Sequence, residues 1–311
     1  MKNYIKVFAP ATVSNVGCGF DTIGFAIDKP GDIVTLKLRF DGKVRITKIT
    51  GDNGVLPADI KKNTATVAIL ELLKYYKDKS IGVDLEIRKK MPIGSGLGSS
   101  AASSVAAVYG MNKLLNNYFS EKDILNFAVK GESIASGAVH ADNVAPCLTG
   151  GFILIRDYNP LEIIQLPVPK NLYCTVVYPH IVIETKKARK LIKKQIPVSS
   201  ARKHFGNIGS LVTSLYEGNI DLLGRTIHDE ISEPVRAKLI PYFFDIKNAA
   251  LNSGAYGCSI SGSGPSVFAF SKSHTAAVKI GKSMQAVINK NRIKSNLYIS
   301  RINKTGPKVI A

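Results

Sequence analysis

The residues best suited to chemistry form a run of glycines and serines at 94–100, which reads GSGLGSS. Glycines allow positive φ angles and let a ligand approach the backbone closely. The run follows an alternating segment typical of a strand (83–88) and precedes small residues that predict a helix (101–115). The first amide groups of a helix lack intrahelical partners and, with the helix dipole, attract anions. The run therefore predicts a phosphate-binding loop; the alternative is a flexible turn with a serine helix cap.

Single residues of this run exclude three familiar glycine motifs. A Walker A loop ends in Gly-Lys-Ser/Thr, and no lysine follows Gly98. Ser99 stands where the pattern GxGxxG requires its third glycine. Leu97 stands where the nucleophile elbow GxSxG requires its serine. The sequence therefore predicts phosphate binding by a different type of glycine loop.

The segment from Pro92 to Ala101, PIGSGLGSSA, resembles the signature Pro-x-x-x-Gly-Leu-Gly-Ser-Ser-Ala of the GHMP kinases at every fixed position. Segments 9–28 and 259–270 resemble the N-terminal and C-terminal motifs of the same family. Residues within 10–24, 140–146 and 233–236 resemble the branch of the family that acts on L-homoserine. The resemblance covers nearly the whole chain. It implies transfer of the γ-phosphate of ATP to the side-chain hydroxyl of L-homoserine, on the route to threonine. The alternative is another small-molecule kinase of the family, such as a mevalonate-type enzyme.

The resemblance also implies which residues contact MgATP. Ser100 and Glu132 are expected to hold Mg²⁺, which prefers oxygen ligands. On sequence alone, Glu132 could equally be a solvated glutamate on a helix. Asn63, with Thr64, is expected near the adenine. The implied nucleotide-binding residues are Pro92, Ile93, Gly94, Ser95, Gly96, Leu97, Gly98, Ser99, Ser100, Ala101, Ala102 and Asn63.

The expected catalytic residues are His140, Asp142, Asn143 and Thr185. Asp142 has the chemistry of a general base that takes the proton of the substrate hydroxyl. Alternatively, Asn143 orients the hydroxyl and the γ-phosphate accepts the proton, because phosphoryl transfer depends mainly on positioning and charge. Both versions are open at this point. His140 could also be a buried structural histidine, and Thr185 is expected near the γ-phosphate.

The substrate is an amino acid, so its two charged groups require opposite partners. An arginine offers a planar pair of donors to a carboxylate. The resemblance implies that Arg189 and Arg236 take this role. It implies Asp21 and Asn15 as partners of the substrate ammonium.

The pattern of the remaining chain predicts an α+β fold. The resemblance implies a two-domain GHMP-kinase fold of two-layer α/β sandwich domains with the active site in the cleft between them. Three prolines in 157–170 suggest a boundary, giving an N-terminal ATP-binding domain (1–158) and a C-terminal domain (159–311). Ser120 and Asp123 form a predicted capping box at the start of a helix. Further helices are predicted at 64–77, 185–194, 200–217, 219–231, 241–252 and 274–290, and strands at 152–155, 172–178, 267–270 and 296–302.

The composition limits the compartment and the partners. The chain has 42 Lys and Arg against 23 Asp and Glu, a net charge of +19. Its densest basic clusters, 88–90 and 186–194, lack interleaved aromatic residues, so we interpret them as solvated surface; the alternative is a nucleic-acid binder. Four cysteines without a CxxC pair fit a reducing cytoplasm. No apolar run reaches the roughly 18 residues of a membrane helix. We expect a cytoplasmic protein without nucleic-acid or membrane partners, and the resemblance implies a homodimer.

Overall fold

The structure, a computed structural model, describes residues 3–137, 140–193 and 195–311. The first sheet has the strand order β11-β1-β2-β4-β3, with β5 paired to β2 and β6 paired to β5. Only the β3–β4 pair is parallel among the strand pairs of the described residues. The strands of this sheet are β1 (Tyr4–Asn15), β2 (Gly19–Arg39), β3 (Val44–Thr50), β4 (Gly82–Arg88), β5 (Phe152–Tyr158), β6 (Leu161–Leu166) and β11 (Lys308–Val309).

Small residues allow a central helix to pack closely against this sheet. The helices that follow in this part of the chain are α1 (Thr64–Tyr75), α2 (Ser99–Leu114), α3 (Glu121–Ser136) and α4 (Val144–Thr149). Helix α2 packs against β1, β2, α1 and α3, so most of its surface is buried. A Cβ on Gly110 would lie 2.6 Å from Leu36 Cδ1, so a larger residue here would displace the end of that side chain. The predicted helix at 101–115 is confirmed, beginning two residues earlier.

The second sheet has the strand order β10-β7-β9-β8 and is covered by α9 and α10. Its strands are β7 (Tyr173–Pro179), β8 (Cys258–Ile260), β9 (Val267–Ser271) and β10 (Ser295–Arg301). The helices of this half are α5 (Thr185–Lys190), α6 (Val198–Glu217), α7 (Ile220–Thr226), α8 (Glu233–Arg236), α9 (Phe243–Asn252) and α10 (His274–Lys290). A short 3₁₀ helix follows α8 at Ala237–Leu239.

A cluster of phenylalanine rings joins the two sheets. The Phe25 ring lies 4.7 Å from that of Phe152 in the first sheet and 5.3 Å from that of Phe270 in the second. All three side chains are fully buried, and burial of each contributes roughly 1.5–3 kcal/mol. The core is therefore continuous between the two sheets.

The structure confirms the α+β class and corrects several details of the sequence interpretation. The capping box of Ser120 and Asp123 is present at the start of α3. The helices predicted at 185–194 and 219–231 end earlier, at Lys190 and Thr226. Strands β1, β2 and β3 were not predicted, and β6 pairs with the first sheet. The domain boundary after residue 158 stays a prediction. Among the described residues, no helix combines the length and the apolar character needed to cross a membrane.

Candidate active site

A cavity of about 350 Å³ lies between the glycine loop, the β1–β2 turn and helix α8. Most of the predicted site residues line it, although they are scattered from position 15 to position 236. They are Asn15, Asp21, Asn63, Ile93, Gly94, Ser95, Gly96, Gly98, Ser99, Ser100, Glu132, His140, Asp142, Asn143, Arg189 and Arg236. Pro92, Leu97, Ala101 and Ala102 do not line the cavity, and the last three are fully buried behind the loop. Thr185 begins α5, but its side chain lies outside what the structure describes.

The glycine loop has the backbone shape that the sequence predicts. Gly94, Gly96 and Gly98 all have positive φ angles, of 69°, 78° and 64°. A Cβ on Gly98 would lie 2.1 Å from Thr12 Oγ1 and 2.9 Å from Asn143 Oδ1, so a side chain cannot be accommodated without displacing both. Gly98 is the N-cap of α2 and, as glycine, offers no side-chain acceptor to the first turn. The amides of that turn are thus available to an anion.

A second glycine loop, 261–266, supports the first. Ser261 Oγ donates to the Gly96 carbonyl at 2.6 Å, and the Ser266 amide donates to the Ser95 carbonyl at 3.2 Å. The Gly262 amide donates to the Ser14 carbonyl at 3.0 Å. These bonds fix the first loop relative to β1 and the second sheet.

A buried ion pair between Asp32 and Lys89 lies behind the glycine loop. Lys89 Nζ also donates to the Ser99 carbonyl and to Ser103 Oγ, both at 2.7 Å. Ser99 Oγ donates to Asp32 at 3.2 Å, so its one hydroxyl proton is already engaged and its amide remains as the donor for an anion. The interpretation of residues 88–90 as solvated surface is wrong for Lys89, which anchors the first turn of α2 instead.

Ser100 and Glu132 present oxygen atoms to the same part of the cavity. Ser100 Oγ donates to Glu132 Oε1 at 2.9 Å. Burial raises the pKa of Glu132 to about 7, while the bond from Ser100 acts in the opposite direction. Burial disfavours the charged form of the carboxylate, and a bound cation would offset this effect by favouring the ionised carboxylate. The described residues contain no cluster of three or more His, Cys, Asp or Glu side chains suited to a metal. One carboxylate and one hydroxyl suit Mg²⁺, which takes its other ligands from phosphates and water.

Asn143 and Asp142 line the cavity, and Asn143 lies next to Gly98 of the glycine loop. Asn143 Oδ1 accepts from Thr12 Oγ1 at 2.7 Å, and its Nδ2 donates to Ser14 Oγ at 3.0 Å. The side-chain amide is therefore held in one orientation. Asp142 is only 4% exposed, and burial, followed by the charge of Asp21, raises its pKa to about 7. His140 is close by, with Nδ1 3.9 Å from Asp21 Oδ1, and burial lowers its pKa.

Two arginines and one carboxylate form a charged cluster at the other end of the cavity. Arg189 forms an ion pair with Asp21, in which Nη1 lies 3.3 Å from Oδ1. Arg236 is 3% exposed and donates from Nη1 to the Gly262 carbonyl at 2.9 Å. Their guanidinium carbons lie 5.8 Å and 5.2 Å from the Phe20 ring centre, so both cations contact the same aromatic ring. The Nε of Arg236 has no hydrogen-bond partner within the described chain.

The Asn15 side chain mainly holds neighbouring backbone segments in place. Its Oδ1 accepts from the Asp21 amide at 3.0 Å, and its Nδ2 donates to the Gly262 carbonyl at 2.8 Å. Asn15 and Asp21 both have positive φ angles, of 70° and 56°, so the turn between β1 and β2 depends on these bonds. The Tyr158 hydroxyl supports the same turn by donating to the Asp21 carbonyl at 2.9 Å.

Sequence reasoning missed several residues of the cavity. Thr12 and Ser14, which orient Asn143, belong to a segment noticed for its resemblance but were not singled out. Leu56, Pro57 and Lys62 form the wall next to Asn63, and no local signal marks them. Asn63 itself caps α1 and donates to the Pro57 carbonyl at 3.0 Å. It therefore fixes the wall that would face a base.

Comparisons with known proteins identify the family of the chain. Residues 63–151 match the family model for the GHMP kinases N terminal domain, and residues 211–290 match that for GHMP kinases C terminal. A homoserine kinase of Chlorobium phaeobacteroides is 46% identical, covering 97% of this chain and 98% of the relative. A homoserine kinase of Arabidopsis thaliana is 37% identical, covering 98% and 84%.

Solved structures show the same relationship. The crystal structure of homoserine kinase from Cytophaga hutchinsonii is 54% identical, with a TM-score of 0.96 over 100% of this chain and 98% of that one. A mevalonate kinase of L. major, at 20% identity and a TM-score of 0.71 over 96% of both chains, shares the fold. The chain therefore belongs to the GHMP kinases, in their homoserine kinase branch.

Proposed function

We propose that the protein transfers the γ-phosphoryl group of ATP to the side-chain hydroxyl of L-homoserine, giving O-phospho-L-homoserine for threonine biosynthesis. The observation that carries this proposal is the composition of one cavity. Its one end presents the open amides of a helix N-terminus, and its other end presents paired arginines and a carboxylate. The first end suits a triphosphate and the second suits an amino acid.

At the nucleotide end, we infer that the amides of 98–100 bind the phosphates. Ser100 and Glu132 would hold Mg²⁺, which neutralises phosphate charge when bound. Asp32 and Lys89 keep the first turn of α2 in place behind these groups. The wall of Leu56 and Pro57 offers an apolar face to the base.

At the substrate end, Arg189 and Asp21 pair with each other, and a zwitterionic amino acid could pair with both of them instead. The substrate carboxylate would accept from Arg236 and Arg189, and its ammonium would donate to Asp21. The exchange leaves every charge of the cluster paired, so burial of the substrate is not opposed by an uncompensated charge.

The hydroxyl of the substrate would then lie against Asn143, whose orientation Thr12 and Ser14 fix. Asp142 is buried, and Ser14 interacts with its carboxylate as well as with the Asn143 amide. We propose that the γ-phosphate accepts the hydroxyl proton, because phosphoryl transfer depends mainly on positioning and charge, and that Asn143 and His140 position the nucleophile.

A mevalonate-type kinase is the second candidate, since that substrate also carries a carboxylate and a hydroxyl. It has no ammonium group, so the carboxylate of Asp21 would be left beside it without a cationic partner. Turnover of L-homoserine and of mevalonate should be compared at equal MgATP, with the phosphorylated product identified by ³¹P NMR. We expect a higher kcat/KM for L-homoserine, and a higher value for mevalonate would contradict the proposal.

We further propose that the protein is a cytoplasmic homodimer. All four cysteines are buried and free, which fits a reducing compartment. Light scattering after gel filtration should give twice the mass of one chain. A monomer at micromolar concentration would contradict the dimer without affecting the proposed reaction.

Replacement of Asp142 by asparagine separates the two routes for the proton. We expect Asp142→Asn to lower kcat by less than tenfold, because a phosphate acceptor does not need this carboxylate. A general base contributes roughly 10²–10⁴-fold, so a loss of that size in steady-state kinetics would assign the proton to Asp142 instead.

The same variant has a predicted effect on stability. The folded pKa of Asp142, about 7, lies above its ordinary value of 3.8, so the folded state binds a proton more tightly than the unfolded state. The stability that this proton provides is complete below pH 4 and is lost as pH rises to 7. Asp142→Asn should raise the free energy of unfolding at pH 8 by on the order of 2–4 kcal/mol and change it little at pH 4. Equal effects at both values, measured by urea unfolding, would contradict the raised pKa.

Glu132 predicts a pH dependence of MgATP use. Its carboxylate must be ionised to hold Mg²⁺. Lowering the pH from 8 to 6 should reduce the ionised fraction of Glu132, and with it kcat/KM for MgATP, by about tenfold. Glu132→Gln should lower kcat/KM by roughly 10–100-fold and lose this dependence. The ionisation of ATP itself changes with pH in the same way in assays of both proteins. The pH dependence of the variant therefore shows the contribution of ATP, and the difference between the two proteins shows that of Glu132. Glu121→Gln, an exposed change on the same helix, is the control, and equal pH profiles for all three proteins would exclude the proposed role.

A further inference from the structure

The buried carboxylate of Glu233 is not used by the chemistry proposed above. Its Oε2 accepts from Ser259 Oγ at 2.6 Å, and its Oε1 forms an ion pair with Lys247 Nζ. Glu233 is 6% exposed, and Ser259 is buried as well. A charge held this deeply requires partners, and both oxygens have one.

These partners connect three elements of the second half of the chain. Lys247 belongs to α9 and Ser259 to β8, whereas Glu233 is the first residue of α8. Strand β8 continues directly into the second glycine loop. The Gly262 carbonyl of that loop accepts from both Arg236 and Asn15. The Glu233 carboxylate therefore fixes α8 relative to the loop that Arg236 contacts.

Helix α8 cannot hold Arg236 in place by itself. It is a single turn, in which the Arg236 amide donates to the Ser232 carbonyl at 2.9 Å. Isolated helices of this length are not stable, because nucleation costs more than one hydrogen bond returns. Glu233 and Arg236 are three residues apart and so lie on neighbouring positions of the turn. The direction of the arginine thus depends on tertiary contacts, which include the bonds that the Ser232 and Glu233 amides donate to Asp229 and the contacts of the Glu233 carboxylate.

We infer that Glu233, held by Lys247 and Ser259, is a positioning residue that aims the Arg236 guanidinium at the substrate carboxylate; this rests on the function proposed above. The role is distinct from catalysis, since Glu233 does not line the cavity. Loss of the contacts lets α8 rotate, and the arginine then meets the carboxylate at the wrong angle. We expect the nucleotide end of the cavity to keep its geometry, because the bonds that Ser261 and Ser266 donate to the first glycine loop do not involve the Glu233 carboxylate.

Glu233→Gln keeps the shape of the side chain and removes its charge. In the full-length protein, it should raise KM for L-homoserine by about 10–100-fold, since a displacement near 1 Å has effects of this size. KM for MgATP should stay within twofold of the unaltered protein. Ser259→Ala, which removes one contact, should shift KM for L-homoserine in the same direction by a smaller factor. Lys247→Arg, which preserves the charge, should leave both KM values near those of the unaltered protein.

Asp245→Asn is the matched control, an exposed carboxylate on the same helix as Lys247. A purely structural role would lower the melting temperature of Glu233→Gln without separating the two KM values. The inference is overturned if folded Glu233→Gln keeps its KM for L-homoserine within twofold, or if both KM values rise together. Should that variant fail to fold, Ser259→Ala decides by the same criteria. An unaltered protein that makes no O-phospho-L-homoserine would refute the proposed function and this inference together, whereas the variant results refute the inference alone.

Discussion

Gly98→Ala is expected to lower kcat/KM for MgATP by about 10³-fold. A left-handed conformation costs a residue with a Cβ roughly 1–2 kcal/mol. The added Cβ would also lie 2.1 Å from Thr12 Oγ1, so Thr12 and Asn143 must move. Together these effects amount to about 4 kcal/mol at the point where the phosphates bind, and each 1.36 kcal/mol is tenfold in rate. Steady-state kinetics with varied MgATP, and a melting curve for each protein, provide the measurement.

Gly94→Ala is the control for the backbone alone. Gly94 has a similar φ angle of 69°, but the nearest atom to its Cβ would be Val182 Cγ1 at 3.9 Å. We expect about a tenfold loss from strain without displaced side chains. Equal losses for the two variants would show that contact with Thr12 and Asn143 is not what makes position 98 intolerant.

Arg236→Leu is expected to lower kcat/KM for L-homoserine by roughly 10²–10³-fold. Truncating one partner of a buried, hydrogen-bonded charge pair costs about 2–5 kcal/mol. The effect should fall on KM for L-homoserine and leave KM for MgATP within twofold, because Arg236 donates to the Gly262 carbonyl and makes no hydrogen bond to the first glycine loop among the described residues. Arg236→Lys keeps the charge but loses the planar pair of donors, and its loss should be intermediate.

Arg225→Leu, an exposed change on α7, controls for the loss of positive charge. If KM for MgATP rises as much as KM for L-homoserine in Arg236→Leu, the arginine does not hold the substrate carboxylate. Activity close to that of the unaltered protein would lead to the same conclusion.

The features that could be predicted from the sequence are those with a local pattern. Helix α2 follows from its small residues and from the glycine loop before it. The capping box at Ser120 is contained within four residues. Strand β4 alternates because one of its faces is exposed. In each case, neighbours along the chain determine the structure.

Strands β1 and β2 could not be predicted in this way. The second half of β1 is buried on both faces, so the alternation that marks its first half disappears. Strand β2 changes partners from β5 to β4 along its length, and its pattern changes with them. Tertiary packing decides these segments, and a single sequence does not contain that information locally.

The candidate site shows the same division. Its motifs are recognisable one by one, yet the pairing of Asp21 with Arg189 joins residues 168 positions apart. Likewise, Lys89 belongs to a basic cluster in the sequence, and its burial depends on Asp32, 57 positions earlier. The hydroxyls of Thr12 and Ser14 became identifiable as partners of Asn143 only through the fold.

The proposed reaction requires the amides at the start of α2 to bind the phosphates of ATP beside a bound amino acid. This can be examined in a crystal structure with a non-hydrolysable ATP analogue, Mg²⁺ and L-homoserine. We expect the triphosphate within hydrogen-bond distance of the 98–100 amides and the substrate carboxylate on Arg236. A triphosphate bound elsewhere, with the glycine loop empty, would contradict this expectation.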